Sequence, residues 1–221
     1  MAKPVIVCVD DEPAVAAAVQ RDVRARYQED YRVLSSTSGA IERNLDFLYV
    51  CYDNEGYGNT GQQYSGATPH GARTATSAGA GGYAGEKKDL FTIWAAHRPA
   101  YVATVIGAEP LDLARKIERA AVMRGPRLIL ALAPCPTGWD YDPKDSVEIG
   151  RLAVRTGVWP LKEWVDGQVT HTRVPKPRLP VEEYLRLQGR FAHLFEPARN
   201  EALLAEIQAS VDAYWEAVSE G

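Results

Sequence analysis

The chain has 221 residues, a formal net charge of -4 and 46% hydrophobic residues, enough for one large or two small domains with a real core. Its mild acidity argues against a nucleic-acid partner, which would leave a basic face. No apolar run is long enough to span a bilayer and the first residues lack a signal-peptide pattern, so a cytoplasmic location is expected.

In chain order, residues 4–9 (PVIVCV) form a short continuous apolar run, expected as a buried parallel strand that ends in Asp10-Asp11-Glu12-Pro13. Residues 14–26 have helical composition and period, with Pro13 suited to a first helical turn. A second strand is expected over 31–35, and 36–39 is loop-like. Residues 47–52 (FLYVCY) are a further buried strand that delivers Asp53-Asn54-Glu55. From Gly56 to Gly85 runs a long segment with nine glycines and little hydrophobic period, the kind of loop that is usually functional or disordered. A helix is expected near 88–97, then a strand at 101–107, a helix from Pro110 to about Arg124 and a strand at 127–134. This alternation predicts an α/β fold with a doubly wound, mostly parallel sheet, whose ligands bind at the C-terminal strand ends. Beyond it, 145–156 reads as a helix and 157–174 as a hairpin turning at Asp166-Gly167. Pro175, Pro177 and Pro180 make an extended connector before helices over 181–193 and 197–218.

Three cysteines, Cys8, Cys51 and Cys135, stand far apart without a CxxC pair, which suits neither a disulfide framework nor a zinc site. Trp139, Trp159 and Trp164 are expected as core or interface anchors, and His97 as a structural residue at a helix end. Glu55 is expected beside the motif as a supporting carboxylate or a solvated charge. The last helix, with Leu203, Leu204, Ile207, Val211 and Trp215 at helical spacing, is expected to pack one amphipathic face.

The most informative string is YVCYDNEGYGNTGQQYSGATPHG, residues 49–71. A strand that delivers Asp-Asn-Glu into a glycine-rich turn suits a metal-bridged diphosphate. An Asn oxygen and a main-chain carbonyl are hard ligands for Mg²⁺, and glycines let backbone N–H groups approach phosphates. The string resembles the second half of the thiamine-diphosphate motif in the β subunits of pyruvate (2-oxoacid):ferredoxin oxidoreductases. The resemblance continues through AAHRPAYVAT, LAPCPTGW, EIGRLAVRTGVWPL, PVEEYLRLQGRFAHLF and EIQASVDAYWE, about four-fifths of the chain.

That resemblance implies a thiamine-diphosphate-binding fold with a C-terminal hairpin and helical extension, divided as residues 39–144 and 145–221. It implies that Asn54 ligates Mg²⁺ through its side chain and Gly56 through its carbonyl, with Asn59, Thr60 and Gly61 along the diphosphate. It also implies oxidative decarboxylation of pyruvate to acetyl-coenzyme A, electrons passing to ferredoxin, and α and γ partner subunits. Cys135 matches the family's fourth ligand to a [4Fe-4S] cluster. The paired-cysteine segment, the third cluster cysteine and the Gly-Asp-Gly whose aspartate is the primary metal ligand have no counterpart in this sequence. Residues 1–38 instead resemble the opening β-α-β of a receiver domain, with Asp10 and Asp11 as its acidic pair. The resemblance therefore describes a truncated, fused β subunit. The alternatives are a phosphoacceptor module using Asp10, Asp11 and Asp53, or an inactive partner-binding fragment.

Overall fold

A computed structural model of the chain describes residues 5–9, 21, 25, 32–36 and 44–220. Asp10 and Asp11 lie outside these residues, as does most of the helix expected over 14–26, of which Arg21 and Ala25 are described as helical and exposed.

A seven-stranded sheet organises the fold. Its strands are β1 (Val5–Val9), β2 (Arg32–Ser36), β3 (Phe47–Asp53), β4 (Tyr101–Ile106), β5 (Pro126–Leu132), β6 (Leu161–Val165) and β7 (Gln168–Arg173), in the order β2-β1-β3-β5-β4-β6-β7. The first five run parallel, and β6 joins β4 antiparallel through Val102↔Trp164 before turning into β7. The expected doubly wound α/β sheet with a C-terminal hairpin is thus what the chain forms. Strands β4 and β5 are buried almost throughout, the pattern of parallel strands covered on both faces. Alternate residues feed two cores. Val102, Ile106, Leu128 and Leu130 face the larger one with Phe91, Trp139, Trp159 and Trp164, while Tyr101, Ala103, Val105 and Ile129 face the smaller one.

The helices are α1 (Leu90–Ala96), α2 (Pro110–Val122), α3 (Pro136–Trp139), α4 (Ser146–Arg155), α5 (Glu182–Leu185) and α6 (Glu201–Glu220). α1 starts where the Asp89 side chain accepts from Thr92 N at 3.1 Å and stops at His97, which is exposed as a capping residue. α2 opens on Pro110, whose missing N–H costs nothing in a first turn, and lays Leu113 and Ile117 on the smaller core. The helix expected over 181–193 is instead α5 followed by a separate 3-10 segment, Gly189–Leu194. Between them Gln188 adopts an extended backbone and Gly189 N donates to the Asp140 carbonyl at 2.7 Å instead of to a helical carbonyl, which is where the helical path ends. The hairpin turn is Asp166-Gly167, both with positive φ (48° and 85°), as a two-residue turn of the right twist requires.

β1 and β3 are neighbours in the sheet, and the connections that follow them leave in opposite directions, from β1 to β2 and from β3 to β4. In such sheets the crevice at the C-terminal strand ends is where ligands sit, and the end of β3 is Asp53.

Candidate cofactor site

Asp53, the last residue of β3, is only 4% exposed, as is Glu55 two residues on. The main chain reverses between them. Asp53 Oδ1 accepts from Glu55 N at 3.0 Å, and Glu55 takes a left-handed φ of 63° that this turn holds in place. Lys87 Nζ bridges the two acids, 2.7 Å from Asp53 Oδ2 and 2.6 Å from Glu55 Oε1. Arg190 Nη2 takes the remaining Glu55 oxygen at 2.6 Å. Two carboxylates and two cations therefore cancel in a buried cluster.

Burial works against the charged forms of Asp53, Glu55 and Lys87, and the neighbours decide the outcome. Burial raises the Glu55 carboxyl, but Lys87 and Arg190 overcome it and hold it below the ordinary value. Asp53 ends above its ordinary value because burial, with Glu55 adding, outweighs Lys87. For Lys87 burial opposes the charge, yet the attraction of Glu55 and Asp53 holds the ammonium above its usual value.

Asn54, between the two acids, is held by its main chain. Trp139, fully buried in α3, donates its indole N–H to the Asn54 carbonyl at 2.9 Å. The Arg190 guanidinium stacks 3.8 Å above that indole and donates from Nε to Gln188 Oε1 at 2.9 Å. Gly189 N reaches the Asp140 carbonyl at 2.7 Å, and the Thr68 hydroxyl donates to the Glu55 carbonyl at 2.8 Å. Pieces of chain far apart in sequence thus clamp three consecutive residues.

The glycine-rich segment folds back over this turn. Tyr57 N donates to the Gln63 carbonyl at 3.0 Å and Gln62 N to the Tyr57 carbonyl at 2.9 Å, closing a short loop whose tip is Gly58 to Gly61. Gly61 has φ of 107°, a conformation other residues rarely adopt. Asn59, Thr60 and Gly61 are exposed at the tip, where the Thr60 hydroxyl pairs with Gln63. A Cβ at Gly58 would come within 3.1 Å of Asn54 Nδ2, so the loop lies directly against the Asn54 side chain. The side chain of Gln62 sits between Gly56 and Gly138 and would clash with a Cβ at either. Cys135 stands at the same end, its Sγ accepting from Gly138 N at 3.4 Å as the cap of α3.

Asn54, Gly56 and the 58–61 tip are therefore brought together at one strand end, with Cys135 one turn away. Asp53 is not presented to a phosphoryl donor, since both its oxygens are engaged and the residue is buried. Lys87, Arg190, Trp139 and Gln62 form the support, and sequence reading assigned no such role to them.

The donor set decides which groups can be held. Asn54 Oδ1 makes only a long 3.3 Å bond, from Gly56 N, and among the described residues nothing donates to the Gly56 carbonyl. These neutral oxygens, flanked by close-approach glycines, fit the metal-and-diphosphate end of thiamine diphosphate. The site adds no free carboxylate, and among the described residues no group of three or more His, Cys, Asp or Glu side chains gathers to hold a metal ion. A four-cysteine cluster does not fit this chain, which has three cysteines. Of these, Cys51 and Cys135 are free thiols.

Residues 31–131 match the family model of the thiamine pyrophosphate enzyme, C-terminal TPP binding domain. The chain is 43% identical to the pyruvate synthase subunit PorB of Methanothermobacter marburgensis over 94% of its own length and 76% of that subunit. It is 47% identical to the PorB subunit of Methanosarcina barkeri over 81% of its own length and 62% of that subunit. A solved 2-oxoglutarate:ferredoxin oxidoreductase from Magnetococcus marinus, with 2-oxoglutarate, coenzyme A and succinyl-CoA bound, aligns at 20% identity and a TM-score of 0.45 over 78% of this chain and 73% of that one. Both sequence matches extend the likeness first read in the Asp-Asn-Glu string over most of the chain. The chain belongs to the PorB family of 2-oxoacid oxidoreductase subunits.

Proposed function

We propose that the chain is the thiamine-diphosphate-binding subunit of a pyruvate:ferredoxin oxidoreductase and works with α and γ subunits, coenzyme A and ferredoxin. The observation that carries this reading is the clamped Asn54, whose carbonyl is held by Trp139 while its side-chain oxygen stays available at the strand end. Asn54 Oδ1 and the Gly56 carbonyl would take Mg²⁺, and Asn59, Thr60 and Gly61 would line the diphosphate. Asp53 and Glu55, neutralised by Lys87 and Arg190, add no net repulsion toward those phosphates. The bound cofactor supplies the electron sink for decarboxylation of a 2-oxoacid. The protein's part is to position the diphosphate and keep the adjoining acids retracted.

A phosphoacceptor role for Asp53 has less support, because its oxygens are occupied. The M. marburgensis alignment and the family model both extend into the first 38 residues, which favours reading that segment as part of the same unit. No described helix is long and apolar enough to cross a membrane. The test is calorimetric titration of the full chain with thiamine diphosphate in Mg²⁺. Saturable binding that weakens at least about tenfold in Asn54→Ala, the worth of a charge-assisted contact, is expected. No binding at millimolar cofactor would overturn the reading for this chain.

A further inference from the structure

Behind the Lys87 ion pairs, α1, α6 and the sheet line a half-open cavity of about 380 Å³. Phe91, Leu130, Trp159, Val211 and Tyr214 make its walls largely apolar. Lys162 enters it from β6. The residue is 8% exposed, and its Nζ lies 4.3 Å from the Phe91 ring centroid and 5.0 Å from that of Tyr214. Among the described residues this ammonium has neither a hydrogen bond nor an ion pair.

The other charged groups nearby have employment of their own. Lys87 at the opposite end is held by Asp53 and Glu55. Asp89, the acid facing Lys162 from the start of α1, caps that helix through Thr92 N and Thr92 Oγ1. His171, paired with Lys162 across the hairpin, is bound to the Tyr214 hydroxyl at 2.7 Å. Glu86 and Lys88 are exposed at the rim. Two aromatic rings hold this ammonium, but the side chain is 8% exposed and lacks the ion pair that buried cations ordinarily have.

We propose that this cavity binds a small monocarboxylate, its carboxylate on Lys162 and its apolar body against Trp159, Leu130 and Phe91. A single unpaired ammonium matches a single negative charge. With Asp53 and Glu55 neutralised by Lys87 and Arg190, the acids left along the cavity are Glu86 and Asp89, and a second negative charge on the ligand would face them without a cation of its own. The volume lies near the lower end for small-molecule sites, which suits a short acid with a few carbons. The site is distinct from the loop at Asn54 and does not depend on the cofactor reading.

The test is calorimetric titration of the full chain, without thiamine diphosphate or Mg²⁺, with pentanoate, 2-oxopentanoate and pentanamide. Both acids are expected to bind and the amide to bind at least about tenfold more weakly, the tighter acid identifying the source of the ligand. Lys162→Met and Lys162→Gln should each lose at least about tenfold in affinity for the acids, while Lys144→Met, a surface charge change elsewhere, should lose none. Each Lys162 variant gives up the two ring contacts and no hydrogen bond, so both should still unfold cooperatively and melt within a few degrees of the parent chain in the absence of ligand. Amide binding as tight as acid binding would overturn the proposal. So would unchanged affinity in the Lys162 variants, or no binding of either acid at tens of millimolar.

Discussion

Replacing Arg190 by Met asks how much of the cofactor loop's order depends on one buried guanidinium. The variant removes the 2.6 Å pair with Glu55 and the charge above the Trp139 ring, while Met keeps much of the apolar stem's packing. Removing one partner of a buried ion pair costs about 3–5 kcal/mol, because the other charge stays behind. Glu55 keeps Lys87 at 2.6 Å, which places the loss at the lower end, and forfeiting the cation–π contact adds about 0.5–1 kcal/mol. The expected total is about 3–4 kcal/mol, a drop in melting temperature of roughly 6–16 °C for a chain of this size. Urea unfolding followed by tryptophan fluorescence measures it. The double variant Arg190→Met/Glu55→Gln, which leaves no stranded carboxylate, should be less destabilised than the sum of the singles by about 2 kcal/mol. A single-variant loss under about 1 kcal/mol, or singles that simply add, would refute the idea that this pair locks the loop.

Acid should weaken the fold as pH falls below the ordinary Glu value of about 4.3. The lowered Glu55 carboxyl contributes stability that is present above its unfolded value and lost as pH falls through the folded one. The raised Asp53 runs the other way, its contribution present at low pH and lost as pH rises, so Glu55→Gln should flatten the acid limb and Asp53→Asn should steepen it in urea midpoints measured against pH. Trp139→Phe removes the donor to the Asn54 carbonyl and should cost about 1–3 kcal/mol in urea unfolding, with roughly tenfold weaker thiamine diphosphate binding by calorimetry. Gly157→Ala places a Cβ at a φ of 79° and into the Trp215 indole, which donates to the Gly157 carbonyl at 3.0 Å. It should destabilise the chain by about 2–3 kcal/mol and shift tryptophan emission to the red.

Local pattern made the strands and the Asp-Asn-Glu turn readable, because apolar runs, glycines and a hairpin Asp-Gly act over a few residues. The partners of that turn were not readable in the same way. Glu55 meets Lys87 across 32 residues and Arg190 across 135, and no spacing rule connects them. Glu55 was left between a supporting carboxylate and a solvated charge, and its burial follows from those two distant cations. Trp139 reads as core from its composition alone, and it is core. Its indole N–H also holds Asn54, a role that follows from where α3 lies against β3. The break between α5 and the 3-10 segment escaped a periodicity argument, because the Gly189 N–H there goes to the carbonyl of Asp140, 49 residues away.

The Arg190–Glu55 contact also sets a timetable. At synthesis rates of about 5–20 residues per second, Arg190 leaves the peptidyl-transferase centre roughly 7–27 s after Glu55 has been joined to the nascent chain. Throughout that interval the loop exists with its glycines and Asn54 but without the guanidinium that closes the cluster. The closed geometry is therefore a property of a chain made at least as far as Arg190, so a ribosome stalled before that point would carry the motif's letters without its shape.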